Sequence, residues 1–238
     1  MNFPHESTHE LFKGCHFNHE IIMLCVRWYV TYKLSYRDLA EMMAERRVDL
    51  AHTTIMRWVQ RYVPEFEKRW RRFARSVGTS WHIDETYIKI KGKWVYLYRG
   101  VDKEGQTIDF FLSEHRDIAA AKQFLQQAIE KRGMPQKLTL DGYAASHVAV
   151  AELQEEGRLP AELTMRTSKY LNNVIEQDHR RVKQRVKPML GFKRLEYAAT
   201  TISGIELIHQ IKKKQFDVSV FRVPQARTPQ VWAAVLAA

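Results

Sequence analysis

Three carboxylates carry the chemistry that this sequence offers. Asp84 lies in Trp81-His82-Ile83-Asp84-Glu85-Thr86-Tyr87, Asp141 follows Lys137-Leu138-Thr139-Leu140, and Glu176 opens a basic stretch running from Asn172 to Pro188. That stretch reads as one helix, with Asn172 or Asn173 as N-cap and Pro188 closing the far end. Glu176, His179, Arg180 and Lys183 fall at i, i+3, i+4 and i+7 and share a face. The face carries one acid and then a ladder of bases, a pattern suited to a metal ion beside a phosphodiester. Val174, Ile175, Val182 and Val186 form the apolar stripe, with Asp178 interrupting it. Alone, the helix reads equally well as an acid complementing the dipole, followed by solvated charges. A single strand-end aspartate is more often a turn residue. Three acids that converge are different. Oxygen-rich clusters bind hard divalent cations, and two such ions roughly 4 Å apart activate one oxygen and stabilise another as it leaves.

Convergence needs a scaffold, and the hydrophobic pattern predicts one. Residues 81–90, 94–99 and 107–113 read as three consecutive antiparallel strands, with Lys91-Gly92-Lys93 as a hairpin turn. A helix is expected near 118–131, broken by Gly133-Met134-Pro135, then a short strand over 137–142 that ends in Asp141 and Gly142, a helix over 146–156 and a strand over 164–167. The fold class is therefore α/β, with antiparallel and parallel portions. If the first and fourth strands are neighbours, Asp84, Asp141 and Glu176 meet at one edge of the sheet. His82 and Glu85 flank Asp84 and are expected to support it structurally.

Ahead of this lies an all-helical region. Residues 19–32 are apolar nearly all round, as in a buried helix, and Cys25 falls within them. Ser35 and Asp38 resemble a capping box for a helix over 36–46. A further helix, 52–62, presents His52, Thr53, Thr54, Arg57, Gln60 and Arg61 outward and is expected to end at Pro64. Two short helices, the second polar and basic outside, suit a helix-turn-helix unit that reads a major groove. A basic connecting helix is expected over 65–75, so the boundaries fall at 1–75, 76–215 and a tail, 216–238.

Composition agrees. The formal charge is +11, and residues 166–214 hold 12 basic and four acidic side chains. Such a field favours a polyanion, nucleic acid before a membrane surface. No apolar run approaches the roughly 20 residues that span a bilayer. Two cysteines make no disulfide framework, and the N-terminus lacks the pattern of a signal peptide, so a cytoplasmic protein is expected.

The order Asp84, Asp141, Glu176, with 34 residues between the last two, resembles that of DDE transposases and integrases with a ribonuclease-H-like catalytic core. The resemblance is closer to bacterial transposases of the insertion-sequence-six family. It is carried by Leu34–Leu39, Thr53-Thr54-Ile55, Arg57-Trp58-Val59, Trp81–Tyr87, Lys169–His179 and Leu190-Gly191-Phe192-Lys193, and covers about residues 12–215. It implies a helix-turn-helix region that binds terminal inverted repeats, with Thr53, Thr54, Arg57 and Arg61 at the DNA. It further implies a triad of Asp84, Asp141 and Glu176 holding two Mg2+, for which Mn2+ can substitute. Arg180 and Lys183 would contact the DNA backbone, and two DNA molecules would be fused into a cointegrate. At least a homodimer is expected, since two ends must be held. Arg47 stands in the turn where relatives tend to have glycine. The alternatives are a DNA-binding regulator with an inactive integrase-like core, and a metal-dependent nuclease that cleaves without joining.

Overall fold

The structure is a computed structural model that describes residues 11–167, 173–189, 191–221 and 228–237. Of the sequence motifs, Lys169–Asn172 and Leu190 lie outside the described residues. The chain divides into two compact units. One comprises Met1–Arg75, Gln184–Leu190 and Glu196–Ala238; the other comprises Ser76–Lys183 and Gly191–Leu195. No helix among the described residues is long and apolar enough to cross a membrane.

The helical unit begins with α1 (His19–Thr31), α2 (Tyr36–Ala44) and α3 (His52–Arg71). Ser35 and Asp38 close a reciprocal capping box at the start of α2, at 2.7 and 3.2 Å. The far end of α2 is a left-handed cap. Val48 N–H reaches back to Met43 O and Arg47 N–H to Ala44 O, with Arg47 at φ 59°. This is the backbone position that glycine fills without strain, and here an arginine holds it.

Contrary to the sequence expectation, α3 does not stop at Pro64. It continues as one helix of 20 residues. Pro64 sits on the exposed side, while Val63 and Phe66 beside it are buried and hold the helix to its core. Gln60, expected to face outward, instead donates to Tyr197 O at 3.5 Å.

The last two helices, α7 (Leu195–Lys212) and α8 (Thr228–Ala237), also belong with this unit, α7 from Glu196 onward. Ile202, Ile205, Leu207 and Ile208 of α7 are buried. Gly204 permits the close approach, since a Cβ there would lie 2.7 Å from Val30 Cγ1. On α8, Trp232 meets Phe66 edge-on at 5.3 Å and packs near Trp70. Both helices thus group with the helical unit, whereas the sequence reading placed residues 76–215 together and 216–238 in a tail.

The second unit is built on a five-stranded sheet of order β3-β2-β1-β4-β5. The strands are β1 (Ser80–Ile90), β2 (Lys93–Asp102), β3 (Thr107–Ser113), β4 (Lys137–Leu140) and β5 (Thr164–Thr167). The first three run antiparallel in sequence, and β4 and β5 add in parallel on the other side of β1. This is the ribonuclease-H-like arrangement. Lys91 and Gly92 both take positive φ, 49° and 80°, which matches the twist of the β1–β2 hairpin. Helices α4 (Ile118–Arg132) and α5 (Ala144–Glu155) cover one face, where Trp81, Ile83, Tyr98, Phe124, Leu138 and Leu153 form the core. Helix α6 (Asn173–Val186) supplies residues to this unit through Lys183.

Relieving the left-handed arginine is testable. Arg47→Gly should stabilise the protein by about 1 kcal/mol, read as a higher thermal midpoint. An unchanged or lower midpoint would mean that the arginine side chain compensates for its backbone.

Candidate active site

Parallel pairing of β1 with β4 sets the site. Trp81 faces Leu138 and His82 faces Thr139 in register. Two residues further on, the same offset brings Asp84 level with Asp141, on strands that run about 4.8 Å apart. Asp84 is within β1, and Asp141 is the first residue past β4. Asp141 Oδ1 accepts from Tyr143 N–H at 3.0 Å, which fixes the turn into α5.

Asp84, Glu85 and Asp141 each offer an oxygen within 4.8 Å of the others, the group among the described residues whose ligand atoms suit a metal ion. Burial first, and then the charges of Asp141, Glu85 and Glu176, push the Asp84 carboxyl up to about 7. Glu176 is exposed in the first turn of α6, outside that three-oxygen group, yet its charge reaches Asp84. The donor set is all carboxylate, crowded and mutually repelling, and a hard divalent cation relieves such repulsion. The residues therefore fit a divalent metal.

The two acids adjacent in sequence have different surroundings. Glu85 lies toward α5, where its side chain is 3% exposed. It accepts from Ser146 Oγ at 2.6 Å and from Arg116 Nη2 at 3.1 Å. Arg116 also lies 3.7 Å from Asp141 Oδ2 and stacks 3.6 Å over the Tyr143 ring. Arg116 is thus a fixed cation at the rim of the cluster.

Asp84 lies toward α6. His179 Nε2 is 3.5 Å from Asp84 Oδ2, and burial, with Arg99 and Lys183 nearby, pulls the imidazole down to about 3. The ring is neutral at physiological pH and adds no charge to the cluster. His179, on the same helix face as Glu176 and Lys183, is a buried contact of Asp84.

Asp178, the interruption in the apolar stripe, is the anchor of that helix. Its Oδ2 pairs with Arg99 Nη2 at 2.8 Å, both groups buried. Arg99 stands directly opposite Asp84 in the β1–β2 register, so the pair joins the sheet to α6 beside the acids. Ile175 and Val182 pack on either side of it. Arg180 and Lys183 remain exposed on α6, and Thr53, Arg57 and Arg61 on α3, with Thr54 half-buried. The expected site residues are thus split between the two units. Arg99, Arg116, Tyr143 and Ser146 were not foreseen. A charged residue inside an apolar pattern, Asp178 on the helix and Arg99 on the strand, was the available signal.

Comparison with known proteins identifies the family. The family described as a DDE domain matches residues 78–215. A transposase for insertion sequence-like element IS431mec from Staphylococcus aureus is 42% identical over 203 residues, covering 85% of this chain and 89% of that one. The transposase for insertion sequence element IS257 in transposon Tn4003, also from Staphylococcus aureus, is 41% identical over the same length. The chain belongs to the DDE transposases of bacterial insertion sequences, in the insertion-sequence-six family. Among solved structures, the dimeric HTLV-2 integrase catalytic core domain in complex with magnesium is similar at a TM-score of 0.45 and 16% identity, covering 57% of this chain and 89% of that one. The BIV integrase catalytic core is similar at 0.42 and 15% identity, covering 58% and 96%.

The buried pair gives a stability test. Asp178→Ala strands a buried guanidinium and should cost about 3–5 kcal/mol. The apolar double replacement Arg99→Met with Asp178→Leu should recover most of that loss in thermal or urea denaturation. Equal losses in single and double variants would show that steric fit, rather than charge, sets the cost.

Proposed function

We propose that this transposase binds the terminal inverted repeats of its element, cleaves DNA at their ends, and joins the freed 3′ ends to target DNA, giving a cointegrate. The observation that carries this reading is the placement of Asp84 and Asp141 by paired strands, with carboxylate oxygens within 4.8 Å of one another. In this reading Asp84, Asp141 and Glu176 hold two Mg2+, or Mn2+ in their place. When bound, the ions polarise the phosphodiester and lower the pKa of the attacking water or hydroxyl.

The chain's own residues do the rest. Asp84 is presented from the middle of a paired strand and is therefore rigid. Arg99 and Asp178 seat α6 so that Glu176 stands near it. Neutral His179 packs against Asp84 on the helix side. Arg180 and Lys183, exposed one and two turns beyond Glu176, hold the backbone of the DNA end by its phosphates. Arg116 holds Glu85 and lies beside Asp141, leaving Asp84, Asp141 and Glu176 as the ligands. The helical region reads the ends through Thr53, Thr54, Arg57 and Arg61 on α3, and residues 76–195 carry the chemistry. Two ends held at once require at least a homodimer, acting on bacterial DNA in the cytoplasm.

The test is a strand-transfer assay with DNA ends from either side of its own gene, a supercoiled target and Mg2+. Wild type should give joined product, and Glu176→Gln should give none while still binding ends. Joining by Glu176→Gln at the wild-type rate would remove Glu176 from the triad. Cleavage without joining would mark a nuclease, and binding alone a regulator. Arg57→Ala should weaken end binding by roughly tenfold or more. Unchanged affinity at moderate salt would take α3 out of the interface.

A further inference from the structure

Beyond the acids, β1 carries a feature that the chemistry above does not use. Tyr87 and Trp94 are 52% and 56% exposed, among the most exposed large apolar side chains described. Their rings meet edge-on, centroids 4.8 Å apart at 78°. Each has an ammonium beside it: Lys183 Nζ lies 4.8 Å from the Tyr87 ring and Lys89 Nζ 5.3 Å from the Trp94 ring. Tyr87 is three residues past Asp84, so it lies on the sheet face of Glu85 rather than that of Asp84, on the order of 10 Å along the strand from the carboxylate cluster that both acids share at the sheet edge.

The surroundings are uniformly basic. From Thr86 to Val101 the sequence contains no acid, and Lys89, Lys91 and Lys93 are all exposed. The segment Gly191-Phe192-Lys193 docks on the same hairpin. Phe192 bridges to Ile90 in parallel and accepts from Lys91 N–H at 2.7 Å. This brings exposed Lys193 to the patch.

A cross-strand aromatic pair often serves only to steady a hairpin. This hairpin has other support. Its register is unbroken from Trp81–Asp102 to Ile90–Lys93. Ile88, Ile90 and Val95 are buried on the face opposite Tyr87 and Trp94. The aromatic pair is left facing solvent with Lys183 and Lys89 beside its rings, an arrangement complementary to a polyanion that also carries flat apolar rings.

We propose that Tyr87 and Trp94 form a stacking platform for an unpaired base at the DNA end whose reacting phosphate lies at the carboxylates. This rests on the proposed reaction with DNA ends. Bases in an intact duplex are stacked on one another and offer only their edges. A ring on the protein surface can stack only on a base that has left the helix. Lys183 and Lys89 sit where the phosphates flanking such a base would pass. The platform explains why the basic ladder of α6 and the hairpin lysines share one aromatic surface.

The test compares two probes built from the element's end. One is fully paired; the other has its terminal bases unpaired, with 2-aminopurine among them. Wild type should bind the unpaired end more tightly and quench its fluorescence. The double variant Tyr87→Leu with Trp94→Leu keeps apolar bulk but has no ring face. It should lose roughly tenfold or more of its affinity for the unpaired end, with about twofold or less change on the paired one. Quenching should vanish and the salt dependence should stay the same. Trp94→Phe, which keeps a ring, should retain quenching and confirms that loss in the double variant is not misfolding. Wild-type binding and quenching by the double variant overturn the platform. So does dissociation of an oligomer in light scattering with DNA binding intact, which would make the pair a contact with a second copy. Wild type that binds and joins paired ends with no preference for unpaired ones overturns the platform alone. Wild type that binds neither probe overturns the functional reading as well.

Discussion

A single buried ion pair, Arg99 with Asp178 at 2.8 Å, ties α6 to the sheet beside the acids. Asp84 lies in β1 and Asp141 directly after β4, so sheet register places both. Glu176 is on a helix, and a helix on a sheet can rotate or slide. Apolar packing of Ile175 and Val182 would hold α6 almost as strongly as a salt bridge that must be desolvated. Apolar contact, however, is non-directional, and a slip of one residue turns a helix by about 100°. That would carry Glu176 away from Asp84. A guanidinium fixed opposite Asp84 in β2 accepts the carboxylate of α6 in one register only. The pair therefore contributes placement more than stability.

Around that anchor the electrostatics work against the fold. Burial and the charges of Asp141, Glu85 and Glu176 raise Asp84 to about 7, so its ionised form is disfavoured in the protein's own field. Arg116 offsets part of this through Glu85 and Asp141, and it does so from the rim, where 35% of its side chain is exposed. His179 is held neutral by burial and by the flanking cations. Each neighbour is arranged so that Asp84 is not compensated directly. An internal cation at that spot would relieve the repulsion and also occupy the place that a metal needs.

How much of this is visible in the sequence depends on the range of the interaction. Strand alternation, the Lys91-Gly92 turn, the Ser35–Asp38 box and the aspartate closing β4 are local, and local patterns fix them. The convergence of Asp84 with Asp141 required one non-local fact, that β1 and β4 are neighbours, and the order of elements made it the natural expectation. The failures are all cases in which tertiary packing overrules a local rule. Pro64 is tolerated because its neighbours Val63 and Phe66 are buried. Gln60 turns inward to a carbonyl 137 residues away. Asp178 looks like a defect in a stripe until Arg99 is placed opposite.

Net charge illustrates the same limit from another side. The excess of basic residues over 166–214 reads as one binding surface, yet its members do different things. Arg180, Arg181, Lys183 and Lys187 are exposed on or just past α6. Arg185, on the same stretch, is buried: its Nε lies 3.4 Å from Val30 O, its guanidinium lies 5.9 Å from the Tyr29 ring, and burial lowers it to about 10. That arginine is a packing residue of the helical unit and contributes nothing to counterion release. The buried Asp178 and Arg185 lie seven residues apart, two turns of one helix, while the exposed cations occupy the positions between and beside them. A charge count cannot separate these classes, because the separation is made by which face of α6 is covered. The exposed positive charge of α6 is therefore smaller than its sequence total. Lys183 belongs to the exposed share, and it is the cation that lies over Tyr87.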